Sequence, residues 1–171
     1  MKVLCMYDGL YKNYREQIEY SKEYAEKFTG DKVVIGEYTD PDPSVDFIKN
    51  IYRLEKFGPN PEPMVPAYEE NLDTEVLAVS FSPVSGEMMD RFQNLRVIGI
   101  SRTGTENVDI QAATERGILV VNAAGRNANA VSDYAIGLMI AESRNIARQH
   151  ALMKQGGPTK EYLNNAIMPD L

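Results

Sequence analysis

Between residues 95 and 155 the chain alternates apolar runs with turn glycines in a pattern that few architectures accept. RVIGI (96–100) leads into the turn SRTGTEN, and a short helical stretch follows over 108–115. ILVVN (118–122) is a second apolar run, and NAAGRNANAV (122–131) opens a long helical pattern. Strand, helix, strand, helix in that order is the repeating unit of a parallel sheet, whose loops at the carboxyl ends of the strands present a site.

Three earlier runs extend the same rhythm: KVLCMY (2–7), KVVIGEY (32–38) and EVLAVSF (75–81). Between them, a surface helix is expected over 15–28, with Gly30 closing it. A second is expected over 45–56, with Ser44 as its cap. The segment FGPNPEPMVP holds Pro59, Pro61, Pro63 and Pro66 and reads as an ordered loop, because proline lacks a ladder donor. Ser85 begins a short helix over 86–92, with Met88, Met89 and Phe92 on its buried face. The expectation is an α/β fold: a flavodoxin-like five-stranded parallel sheet with helices on both faces. One domain should span 1–127, and a long C-terminal helix with the start of a linker should span 128–171.

Composition excludes several functions. A net charge of −7 opposes non-specific nucleic-acid binding, which needs clustered Lys and Arg. No window of about 18 apolar residues exists, so no transmembrane helix is expected, and the N-terminal apolar run is too short for a signal peptide. The single cysteine, Cys5, reads as a buried inert thiol within the first strand. Together these point to the cytoplasm.

Two loops can carry chemistry. Ser101-Arg102-Thr103-Gly104-Thr105-Glu106-Asn107 follows the fourth strand; Gly104 lets backbone N–H groups approach an anion and Arg102 adds charge, which suits a carboxylate. Asn122 to Val131 follows the fifth, where Gly125 and Asn127 tolerate positive φ, Asn127 offers a donor and an acceptor, and Asn129 is placed to cap the helix behind it. In that helix YAIGLMIA, which begins at Tyr134 and ends at Ala141, is apolar almost all round and needs cover from a partner domain or second subunit beyond its own core. The lone His150 sits four residues from Lys154 on a polar face and reads as solvated. No cluster of His, Cys and carboxylates suggests a metal, and G-x-G-x-x-G is absent.

At Asn107-Val-Asp109, at AATERGI (112–118), at Val120-Val-Asn122 and at NANAV (127–131), the sequence resembles the D-2-hydroxyacid dehydrogenases of the phosphoglycerate dehydrogenase-like family. The likeness is clear from about residue 95 to 155 and weak before it. It implies a substrate-binding domain whose partner, an NAD(P)-binding domain carrying the catalytic Arg, Glu and His, is not encoded in these 171 residues. In such proteins the loop matching Arg102, Thr103 and Gly104 offers amides to the substrate carboxylate. The position matching Asn127 contacts substrate, while those matching Ala128 and Val131, and also Thr103, lie near the nicotinamide. The resemblance therefore implies NAD or NADP in the full-length enzyme and none bound by this chain alone. No catalytic or metal-binding residue is expected here. The partners expected are a small 2-hydroxy or 2-oxo acid and a second copy of the chain, packed through the region around Tyr134 to Ala141. A different class, a stand-alone non-enzymatic domain binding a small acid or a protein partner, stays open at this point.

Overall fold

The computed structural model describes residues 1–8, 14–38, 40, 42, 44–59 and 64–157. Pro41, Pro43, Pro61 and Pro63 and the closing segment 158–171 lie outside the described residues. The chain forms two compact units, the first from Met1 to Ala124 and the second from Gly125 onward.

The first unit is built on five strands: β1 (Lys2–Tyr7), β2 (Lys32–Glu37), β3 (Val76–Val79), β4 (Val97–Ile100) and β5 (Leu119–Asn122). They pair in the order β2-β1-β3-β4-β5, every pair parallel. Parallel neighbours need crossover helices, and right-handed crossovers sort those helices by the direction of the step. The step from β1 back to β2 carries α1 (Tyr14–Thr29), which packs on both strands. The steps from β2 to β5 run the other way. They carry α2 (Phe47–Phe57), α3 (Pro66–Glu69), α4 (Gly86–Arg91) and α5 (Ile110–Glu115).

The core gathers on one face of the sheet. Leu4, Leu77 and Ile98 are fully buried there with Tyr68 of α3, Met88 of α4 and Ala113 of α5. Period-two alternation decides this: Leu77 and Val79 point inward, as do Ile98 and Ile100. The other face is only partly covered. Leu119 and Val121 of β5 stay 60% and 51% exposed, and Val121 borders an open hollow of about 400 Å³ that also reaches Cys5 and Gly99. Cys5 is accordingly half-buried rather than buried, and burial still pushes its thiol pKa up, which keeps it unreactive.

The caps explain where helices begin. Ser85 accepts from Met88 N, as its position suggested, and Asp109 accepts from Ala112 N. At α2 the cap is Asp46, which accepts from Lys49 N at 2.9 Å. Ser44 lies two residues too early and donates its own N–H to Asp42. The proline-rich loop hides a helix that pattern reading missed: Pro66 occupies the first helical position of α3, where a missing N–H is harmless.

The second unit contains α6 (Ala128–Ser143) and α7 (Ile146–Lys154). The stretch read as one long helix is interrupted at Asn145, which adopts φ 55 and is 1% exposed. Asparagine tolerates this left-handed geometry, and its carbonyl starts α7 by accepting from Gln149 N. Asn129 caps nothing and lies within the first turn of α6; Asn127 holds the N-cap position without a side-chain bond. None of the described helices is long and apolar enough to cross a membrane.

Candidate functional site

The carboxyl ends of β3, β4 and β5 carry three loops that are stitched together by side chains. Ser80 to Ser85 form the β3 loop, Ser101 to Asn107 form the β4 loop, and Asn122 to Ala124 leave β5. Asn107 joins the first two: its Nδ2 donates to Ser82 O at 2.8 Å, and its own carbonyl accepts from Val84 N at 2.8 Å. Val84 and Val108 add an isolated parallel bridge. Asn122 joins the second to the third, donating through Nδ2 to Thr103 O at 2.7 Å. The Thr103 hydroxyl donates to Ala123 O at 3.4 Å.

Asn107 is 0% exposed, so its amide is a structural strut. Asn107→Ala leaves the Ser82 carbonyl without its donor inside the protein. The expected loss is about 2 kcal/mol of stability, read as a lower denaturation midpoint at unchanged m-value.

Arg102 is held on three sides. Its guanidinium lies over the Phe81 ring at 4.2 Å, and its Nη2 donates to Glu106 Oε2 at 2.7 Å and to Asn107 Oδ1 at 3.4 Å. Its Nε is buried and has no partner among the described residues. Phe81 is itself fixed, since its N–H donates to Asp8 Oδ2 at 2.8 Å across the end of β1. Thr103 and Gly104 donate no backbone hydrogen bond to another described residue, so two neighbouring N–H groups stand beside a fixed cation. That is the chemistry of a carboxylate site.

At the end of β2, Asp40 pairs with Arg53, which also donates to Asn50 at 2.9 Å. Burial, with the Asp40 charge behind it, pushes the Tyr38 hydroxyl up to about 12, so it remains protonated across the physiological range. This group is internally matched and offers no free charge.

The structure thus brings Arg102, Thr103 and Gly104 into one loop at the carboxyl end of the sheet. Asn127, Ala128 and Val131 belong to the second unit and share the start of α6, all of them exposed. His150 is exposed on α7. Among the described residues no group of three or more His, Cys, Asp or Glu side chains could hold a metal. Sequence reading included Glu106 and Asn122 in the two loops without giving either a role, and it missed Phe81. A carboxylate four residues after an arginine was the one available signal, and outside a helix it carries little weight.

Residues 21–168 match the family model described as D-isomer specific 2-hydroxyacid dehydrogenase, catalytic domain. D-3-phosphoglycerate dehydrogenase of Methanocaldococcus jannaschii is 39% identical over 89 residues, 52% of this chain and 17% of that protein. Hydroxypyruvate reductase of Thermotoga maritima is 37% identical over 92 residues, 53% of this chain and 30% of that protein. The chain therefore spans less than a third of these relatives. Among solved structures, the NAD-dependent formate dehydrogenase of Staphylococcus aureus in complex with NAD superposes with a TM-score of 0.60 at 19% identity, over 92% of this chain and 42% of that one. At that identity the likeness shows the fold.

Proposed function

The chain belongs to the D-isomer specific 2-hydroxyacid dehydrogenase family through its catalytic domain, and from that premise we propose that it supplies the 2-oxo-acid-binding wall of an NAD(P)-dependent dehydrogenase. The observation that carries the reading is the β4 loop, with an arginine locked in place next to the unengaged N–H groups of Thr103 and Gly104. A substrate carboxylate accepts from those N–H groups and sits against the Arg102 charge, which fixes the orientation of the neighbouring 2-carbon. Asn127 is assigned to the substrate side as a donor and acceptor.

When bound, NAD or NADP supplies or accepts the hydride. The residues here fit its ring end and not its phosphates. Ala128 and Val131 are small and apolar, Thr103 has a free N–H, and no G-x-G-x-x-G exists to cradle a pyrophosphate. Without a phosphate cradle the 171 residues alone hold no cofactor and turn over no substrate. Domain roles follow the same division, with 1–127 as the substrate-binding part and 128–171 as the connection toward the cofactor domain. The apolar α6 is assigned to a homodimer contact around Tyr134 to Ala141.

The test is a titration of the 15N-labelled chain with 2-oxobutanoate. Shifts should concentrate at the Thr103 and Gly104 amides, and Arg102→Met should weaken binding by about tenfold, the loss of one charge-assisted contact. The chain mixed with NADH and the acid should leave the NADH absorbance constant. Shifts confined to residues outside the β4 loop would refute the carboxylate assignment, and steady loss of absorbance would refute the inactivity.

A further inference from the structure

Arg102 already holds a carboxylate. Glu106 Oε2 is 2.7 Å from its Nη2, and the same carboxylate lies directly on Gly104, where an added Cβ would collide with that oxygen. An acidic side chain therefore covers both elements that the proposed substrate carboxylate needs, the cation and the glycine.

The two partners are not equally free. The Arg102 side chain is 13% exposed and pinned by Phe81 and Asn107, while the Glu106 side chain is 43% exposed. An incoming anion therefore displaces Glu106 and leaves Arg102 where it is. The displaced carboxylate stays tethered four residues away, so it continues to repel whatever negative charge has replaced it.

We propose that Glu106 is a specificity-determining residue: it occupies the anion position beside Arg102 and Gly104 in the free protein, yields it to one substrate carboxylate, and disfavours acids that bring a second anionic group. This rests on reading the β4 loop as a carboxylate site. The charge balance around the loop sets the direction. Asp8 fixes Phe81 beneath Arg102, and the arginines of the first unit that reach its described carboxyl-end loops, Arg53 and Arg102, each already hold a carboxylate. A phosphate dianion needs cations that are not already neutralised. The substrate class that fits is a 2-hydroxy or 2-oxo acid with an uncharged remainder, in contrast to the phosphorylated acid for which some relatives are named.

Calorimetric titration of the 171-residue chain, wild type and Glu106→Gln, with 2-oxobutanoate and with 3-phosphohydroxypyruvate tests this, alongside the Thr103 and Gly104 amide shifts. Glu106→Gln should bind 2-oxobutanoate roughly three- to fivefold more tightly, the scale of an exposed ion pair. It should gain more for the phosphorylated acid, narrowing a wild-type preference for 2-oxobutanoate. Glu106→Ala should reproduce both changes, since the Glu106 side chain is itself exposed and Arg102 keeps its contacts with Phe81 and Asn107. Unchanged affinities with the Gly104 amide still shifting would overturn the role of Glu106 and leave the carboxylate site standing. Tighter wild-type binding of the phosphorylated acid would overturn the specificity. No shift at Thr103 or Gly104 with either acid in either protein would overturn the site itself.

Discussion

Gly36→Val should lower the thermal midpoint by about 6–12 °C, the equivalent of roughly 3 kcal/mol in a chain of this size. Two effects compete at this position. Valine suits a strand better than glycine by up to about 1 kcal/mol, because glycine gives up more backbone freedom on folding. Packing opposes it. A Cβ at Gly36 would lie 2.8 Å from Ala67 Cβ, 2.8 Å from Met6 Sδ and 3.2 Å from Leu4 Cδ1. Met6 has a flexible end and can turn aside. Ala67 cannot, because its Cβ is fixed to the backbone of α3, which is four residues long and anchored by the fully buried Tyr68. Overpacking against a rigid neighbour therefore outweighs the propensity gain. Gly36→Ala should show the same sign at about 1–2 kcal/mol. Pairing Gly36→Ala with Ala67→Gly removes the clash, so the double variant should recover most of that loss in a double-mutant cycle. A midpoint for Gly36→Val at or above that of the wild type would mean that α3 does not press on β2 as described.

That close approach also shows where sequence reading stops. The five strands were legible because each is a short apolar run between turn signals, and alternation separates their two faces. Ser85 was legible because a cap is a local event, decided within three residues. Nothing in KVVIGEY marks Gly36, and only the position of α3 across the sheet gives it a reason. That helix was concealed by its own proline, which reads as a breaker until one sees that it occupies the first turn. The site divides in the same way. Gly104 and Arg102 were visible from their place after an apolar run. The struts Asn107 and Asn122 act between loops that are 15 or more residues apart in sequence, and the Glu106 carboxylate matters only because the loop folds it back onto Gly104. Such contacts depend on strand order, which residue spacing does not carry.

Leu138→Glu should raise the dissociation constant of the proposed homodimer by at least about a hundredfold while leaving the thermal midpoint of the diluted protein unchanged. The reasoning starts from α6 itself. No residue of this helix is buried, and Val131, Tyr134, Ile136, Leu138 and Met139 are each more than half exposed. With 100° between successive residues, Val131, Tyr134 and Leu138 fall along one stripe, and Ile136 and Ile140 fall on the opposite side. A helix apolar on both sides has no face that water suits, so both stripes call for cover. A two-fold contact places the same stripe of each copy against the other, and the stripe with the tyrosine and the leucine offers the larger apolar area. A carboxylate at its centre is desolvated twice, once in each copy, and repels its symmetry mate. Ile136→Glu lies on the far stripe and should weaken association far less. Sedimentation velocity across a dilution series separates these cases. Wild-type protein that stays monomeric at ~100 μM, well above the range of ordinary homodimers, would remove α6 as a self-association surface. Equal losses from the two glutamate variants would remove the assignment of stripes.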